Sequence, residues 1–282
     1  TSRLPQGATR IELDSPWGVG LYLYRYPETD DGFAEMDRAA GLARDAGVKW
    51  SREEFQWHRI EPREGEYRWE FYDRMVETAR RNGIAVYGLL AYWSGWAKAY
   101  TPDGIDAYAR WAEAVVRRYR GRIRHWEVWN EPNIFFWQGP RDLYAELLRK
   151  AYAAIRRADP DARVLGLSTA GIDTGFIRRM IALEAPFDIL TIHPYQRVLD
   201  EAGFLKELRD VRVLAGDRPV WITEMGWPTH IGGTDEAEQA RLLARTYILS
   251  VASGAVGNVS WYDFRDDGDD PRYNEHRFGV VR

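Results

Sequence analysis

An α/β barrel of eight strand–helix units is predicted by three observations. Short runs rich in β-branched and aromatic residues alternate with longer helical patterns from one end of the sequence to the other. Strict alternation requires parallel strands, because each helix returns the chain to the same end of the sheet, and eight units favour closure over an open sheet. The length, 282 residues, fits a single domain over 1–282 of this kind, and no Pro/Gly/Ser linker interrupts the series. The fold class is therefore a (β/α)8 TIM barrel. The alternative is an open doubly wound sheet, whose dinucleotide-binding form lacks support because no G-x-G-x-x-G follows the first strand.

The strands are expected at residues 17–24, 48–53, 84–91, 123–130, 163–168, 187–193, 220–224 and 256–262. A helix pattern follows each of the first seven. Ala43 and Ala46 precede the Gly47 stop, and Asp73, Met75, Val76 and Ala79 are closed by Asn82-Gly83. Thr101-Pro102-Asp103 caps the next helix, which carries Ile105, Tyr108, Trp111, Val115 and Tyr119 at helical spacing before Gly121. Asp159-Pro160 ends the fourth. After the eighth strand come an acidic loop and residues 274–282 with no eighth helix pattern, so either that barrel position is open, with apolar surface on the first and last strands for residues 274–282 to cover, or its helix belongs to sequence beyond residue 282.

Hydrophobic residues at 45%, with 29% charged, supply a packed core, so the chain reads as soluble and globular. A net charge of -4 without a basic stripe argues against nucleic acid or an anionic membrane as partner, and no run approaches the ~20 apolar residues of a membrane span. The absence of cysteine removes disulfides, thiolate metal sites and cysteine nucleophiles. Thr1-Ser2-Arg3-Leu4-Pro5 has neither an initiator Met nor a signal core, as in a mature secreted or periplasmic chain, while compartment and oligomeric state stay open.

Reactive groups in such barrels gather at the carboxyl ends of the strands. There the sequence places Arg52 and Glu53, Asn130 and Glu131, His193 and Tyr195, Glu224, and Trp261. Strands four and seven face one another across the mouth, so Glu131 and Glu224 can flank a bound substrate. Two opposed carboxylates are what glycosidic cleavage needs. Five histidines form no His-x-His or His-Glu-x-x-His pair, and the aspartates from 263 to 270 lack calcium-loop order, so no metal and no cofactor is expected. Glu127, directed into the barrel, is expected to pair with an arginine.

Val128-Trp129-Asn130-Glu131-Pro132-Asn133 and Ile222-Thr223-Glu224-Met225-Gly226-Trp227-Pro228 resemble the acid/base and nucleophile signatures of retaining glycoside hydrolases of clan A. The resemblance is closest to family 39, with family 5 next. Trp50-Ser51-Arg52 with Trp57 and Ile60-Glu61-Pro62, Thr191-Ile192-His193-Pro194-Tyr195, and Trp261-Tyr262-Asp263 extend it over nearly the whole chain. It implies Glu131 as general acid/base and Glu224 as nucleophile, with Glu131 keeping its proton while Glu224 is ionised. Arg52 and Tyr195 would support Glu224, Asn130 would hold the sugar 2-hydroxyl, His193 would wall the subsite, and Trp261 would floor it.

Thirteen Trp and sixteen Tyr exceed what a core needs. Trp57, Trp93, Trp96 and Trp137, with Tyr92, Phe135 and Phe136, are expected to line an open cleft for a β-linked oligo- or polysaccharide cleaved internally. Exo-acting β-glycosidase action, transglycosylation and a non-catalytic sugar-binding barrel are the alternatives.

Overall fold

The structure, a computed structural model, describes residues 11–281; the reading of Thr1-Ser2-Arg3-Leu4-Pro5 lies outside the described residues. Eight parallel strands close in sequence order, with β8 paired to β1. They are β1 Trp17–Val19, β2 Trp50–Gln56, β3 Ala85–Ala91, β4 His125–Val128, β5 Arg163–Ala170, β6 Ile189–His193, β7 Val220–Met225 and β8 Val256–Trp261. The helices are α1 Asp30–Asp45, the short α2 Trp57–Ile60, α3 Glu70–Arg81, α4 Pro102–Tyr119, α5 Arg141–Ala158, α6 Thr174–Ala182, α7 Glu201–Ala215 and α8 Glu236–Ala252. No described helix is long and apolar enough to cross a membrane.

Local chemistry sets the boundaries. Thr101 accepts from the Gly104 N–H at 3.1 Å with Pro102 opening α4, while Asp173 and Asp235 cap α6 and α8 in the same way. β1 ends five residues before the expected limit. Beyond Val19 its N–H groups leave the ladder: Leu21 donates to Ser51 Oγ and Tyr24 to Glu53, and Tyr22 turns into the left-handed region at φ 48°. β2 runs three residues past its expected end, because Arg52 and Glu54 face the inside of the barrel and find partners there, which a hydrophobic pattern does not register.

The main core lies between sheet and helices, and a second cluster of Trp50, Ala85, Tyr87, Leu165, Ile189 and Trp221 fills the barrel bottom. Along β2, Phe55 faces outward onto Tyr72, Tyr119 and Trp126, whereas Trp50 and Arg52 face inward. Among the described residues β8 is followed only by a 3-10 turn at Asn274–Arg277. Where a further helix would lie, an apolar groove of about 640 Å³ runs between α8 and α1, lined by Trp17, Val48, Tyr247, Ile248 and Phe264 and partly covered by Val280.

Candidate active site

The carboxyl end of β4 is a forced turn. The strand stops at Val128 because Trp129 and Glu131 both adopt left-handed backbone, with φ of 66° and 44°. Such a conformation costs about 1–3 kcal/mol per residue and persists only where the surroundings fix it. Here the Trp129 N–H donates to Leu90 O at 3.2 Å, its indole to Phe136 O at 3.0 Å, and the Glu131 N–H to Ser168 O at 2.9 Å. The last bond is set up from β5, where Leu167 and Ser168 are also left-handed and the register with β6 shifts.

Arg52, fully buried on β2, ties three strands together. Its Nε donates to Glu127 Oε2 at 2.6 Å, Nη1 to Glu224 Oε1, and Nη2 to Asn130 Oδ1 at 2.9 Å. The pairing expected for Glu127 is thus with Arg52, and Thr223 Oγ1 donates to its second oxygen at 2.9 Å. Tyr195 donates to Glu224 Oε2 at 3.0 Å. Burial first, then the Glu224 charge, push the Tyr195 phenol well above its usual range, so it stays a donor.

His193 lies between the two site glutamates. Nδ1 is 2.8 Å from Glu131 Oε1 and 3.7 Å from Glu224 Oε2, while Nε2 meets Thr223 Oγ1 at 3.0 Å and Ser168 Oγ at 3.1 Å. The single Thr223 hydroxyl hydrogen is committed to Glu127, so Thr223 accepts from Nε2–H. In the neutral ring the Nδ1 lone pair therefore faces the glutamates. Burial alone would lower the His193 pKa; Glu224 and the bond to Glu131 outweigh it, and the net shift is upward.

Of the expected site residues, Arg52, Asn130, Glu131, His193, Tyr195 and Glu224 come together at the mouth. Trp261 closes the end of β8 beneath them, almost fully buried and tilted at 35° against Trp227. The loop aromatics depart from expectation. Trp57 is 0% exposed, stacked on Trp111 and bonded through its indole to Glu61 at 2.6 Å. Trp137 is buried against Trp93, Tyr100 and Trp129, and Trp96 donates to Glu61 O. These rings pack on one another because clustered indoles bury more apolar area together than each would over an open cleft. Phe135, 72% exposed, remains at the surface, stacked on Phe136, which stacks on Tyr92.

Sequence reasoning missed Ser168 and Thr223, the hydroxyls that orient His193, although Thr223 lies inside the Ile222-Thr223-Glu224 motif. It missed Glu275 on the turn after β8, whose pKa burial and then Glu224 raise, and Glu54 on β2, raised chiefly by burial. It found no metal-ligand pattern, yet the structure brings a ligand atom each of Glu131, His193 and Glu224 within 4.8 Å of one another. A linear motif does not show three ligands carried by three strands.

A glycoside hydrolase family 42 model, described as β-galactosidase, matches residues 24–91, and a glycosyl hydrolase catalytic core model matches residues 174–278. Endo-1,4-β-xylanase 3 of Hypocrea jecorina is 30% identical over 156 residues, 50% of this chain and 44% of that protein. Endo-1,4-β-xylanase B of Thermotoga neapolitana is 23% identical over 245 residues, 76% of this chain and 68% of that one. The chain spans about half the length of the first of these curated relatives. A family 39 glycoside hydrolase from Bacteroides cellulosilyticus superposes with a TM-score of 0.82 at 25% identity, covering 95% of this chain and 60% of that one. A family 39 β-xylosidase from Caulobacter crescentus shares the fold with a TM-score of 0.72 at 19% identity, covering 98% and 69%. The chain thus resembles glycoside hydrolases in sequence in both halves, and in structure it is similar to the family 39 enzyme of Bacteroides cellulosilyticus, with which it shares the barrel.

Proposed function

We propose that the protein is a retaining O-glycoside hydrolase that cleaves β-linked oligo- or polysaccharides by double displacement, with Glu131 as acid/base and Glu224 as nucleophile. The observation that carries this reading is the facing of the two carboxylates from β4 and β7, with an oxygen of each within 4.8 Å of the other, across His193. Retention needs carboxyl groups about 5–5.5 Å apart, close enough for direct attack.

Glu224, aligned by Arg52 and Tyr195, attacks the anomeric carbon while Glu131 delivers a proton to the leaving oxygen. Once Glu224 is esterified its charge is gone, the proton affinity of the pocket falls, and Glu131 takes a proton from water for the second displacement. Asn130, held by Arg52, is positioned for the 2-hydroxyl. Internal cleavage is supported by the exposed Phe135 on the loop after Glu131, and xylan is the first polymer to test, given the xylanases among the relatives. Release of a single sugar from the chain end is the second reading, favoured by the withdrawal of Trp57 and Trp137 from the cleft.

The test is reducing-end release from β-xylan, β-glucan, mannan and galactan, with product lengths resolved. Glu224→Gln is expected to abolish release, and Glu131→Ala to regain turnover of an activated aryl glycoside with azide, giving a glycosyl azide of retained configuration. Unchanged activity in Glu224→Gln would overturn the assignment.

A further inference from the structure

We propose that Glu131, His193 and Glu224 form a site for a zinc-class divalent cation, which occupies the place of the scissile bond and so blocks the site. Three features carry this. The ligand atoms already converge: Nδ1 of His193 is 2.8 Å from Glu131 Oε1 and 3.7 Å from Glu224 Oε2, and the three groups lie within 4.8 Å. Zinc bonds of about 2.0–2.2 Å need ligands a little over 3 Å apart, so side-chain adjustments of an ångström or less complete the set and leave a fourth position open.

The second feature is the tautomer. In the neutral ring Thr223 accepts from Nε2–H because its own hydrogen goes to Glu127, and this turns the Nδ1 lone pair towards the two carboxylates, where a cation takes the place of the proton. A carboxylate held behind the histidine, here through one hydroxyl, is the support that metal-binding imidazoles use.

The third feature is charge. With His193 neutral, Arg52 is the one cation beside Glu127, Glu131 and Glu224, so once Glu131 gives up its proton the cluster holds two excess negative charges, which a divalent ion neutralises. The buried imidazole selects zinc or copper(II) over magnesium and calcium, which prefer oxygen alone.

Cation binding itself does not depend on the proposed hydrolase activity; only its inhibitory consequence rests on that reading. The experiment is calorimetric titration of the chelator-treated protein with zinc chloride, paired with anomalous diffraction from zinc-soaked crystals of the unaltered chain. One zinc per chain is expected, with an anomalous peak between the three side chains. Affinity should fall by more than the ~10–100-fold typical of losing a supporting partner in His193→Asn and in Glu224→Gln. Magnesium or calcium chloride should not displace the ion. Where turnover is measurable, zinc should raise KM and leave kcat unchanged. A peak confined to His58, His230 or His276, or no saturable binding, would overturn the proposal.

Discussion

Arg52 donates to Glu127 from one edge of its guanidinium and to Glu224 from another, so a structural carboxylate inside the barrel and a site carboxylate at its mouth share one cation. Removing that cation by Arg52→Met leaves the buried Glu127 carboxyl group with the Thr223 hydroxyl and without its guanidinium partner. The expected loss is about 3–5 kcal/mol in urea denaturation, partly recovered in the double variant with Glu127→Gln. A loss equal in single and double variants would show that the pair does not account for it.

His193 makes stability depend on pH. Its folded pKa lies above the ordinary value of 6.5, so the contribution is fully present below that value and declines as pH rises through the folded one. Glu131, Glu224 and Arg52 are the charges that face it. Melting temperature followed from pH 6 upward should fall more steeply for the natural chain than for His193→Asn; parallel curves would contradict the shift.

Glu53, on the outward side of β2, is pushed up to about 8 by burial, against the opposing bonds from Ser51 and the Tyr24 N–H. A raised carboxyl contributes fully only below its unfolded value near 4.5 and loses that contribution as pH climbs towards about 8. Glu53→Gln should therefore gain stability relative to the natural chain across that window, by roughly 2 kcal/mol or more at its upper end. Denaturation at pH 5 and pH 8 decides it.

Trp57 and Phe135 should separate packing from substrate contact. Trp57→Ala empties a fully buried position and should cost about 3–5 kcal/mol. Phe135→Ala should stay within about 0.5 kcal/mol of the natural stability while raising KM for a polymer more than for a short aryl glycoside. Equal effects on both substrates would remove Phe135 from the cleft.

Gly226 follows β7 where a Cβ would sit 2.0 Å from Tyr262 O. Gly226→Ala must push β7 from β8, with an expected cost of about 1–3 kcal/mol. Because Glu224 lies two residues away, turnover should drop further than the stability loss alone accounts for, as kcat at a temperature where the variant is fully folded would show.

The barrel was legible because its helices carry caps and periodic apolar faces, and its strands β3, β6 and β7 are apolar runs. Strand ends were less so. β2 carries Arg52 and Glu54 into the interior, and period and hydrophobicity do not announce a charge that will be paired. β4 ends early through backbone at Trp129 that only Leu90, Phe136 and Ser168 together hold in place. Glu131 and Glu224 stood out by their company in sequence, whereas Ser168 lies in a run, Gly166-Leu167-Ser168-Thr169, that reads as plain strand. The aromatic surplus misled for a related reason: composition counts rings but does not say whether their faces meet sugar or each other.

The seam between β1 and β8 has a consequence for the order of assembly. β1 contributes only three residues, and its partner on that side is separated from it by almost the entire described chain. A nascent polypeptide emerging from the ribosome can curl β2 through β7 into an open sheet, but Trp17 to Val19 must wait for Val259 to Trp261 before the ring shuts. Until then the edges of the unfinished sheet stand unpaired, the interval in which the chain is most exposed to association with its neighbours.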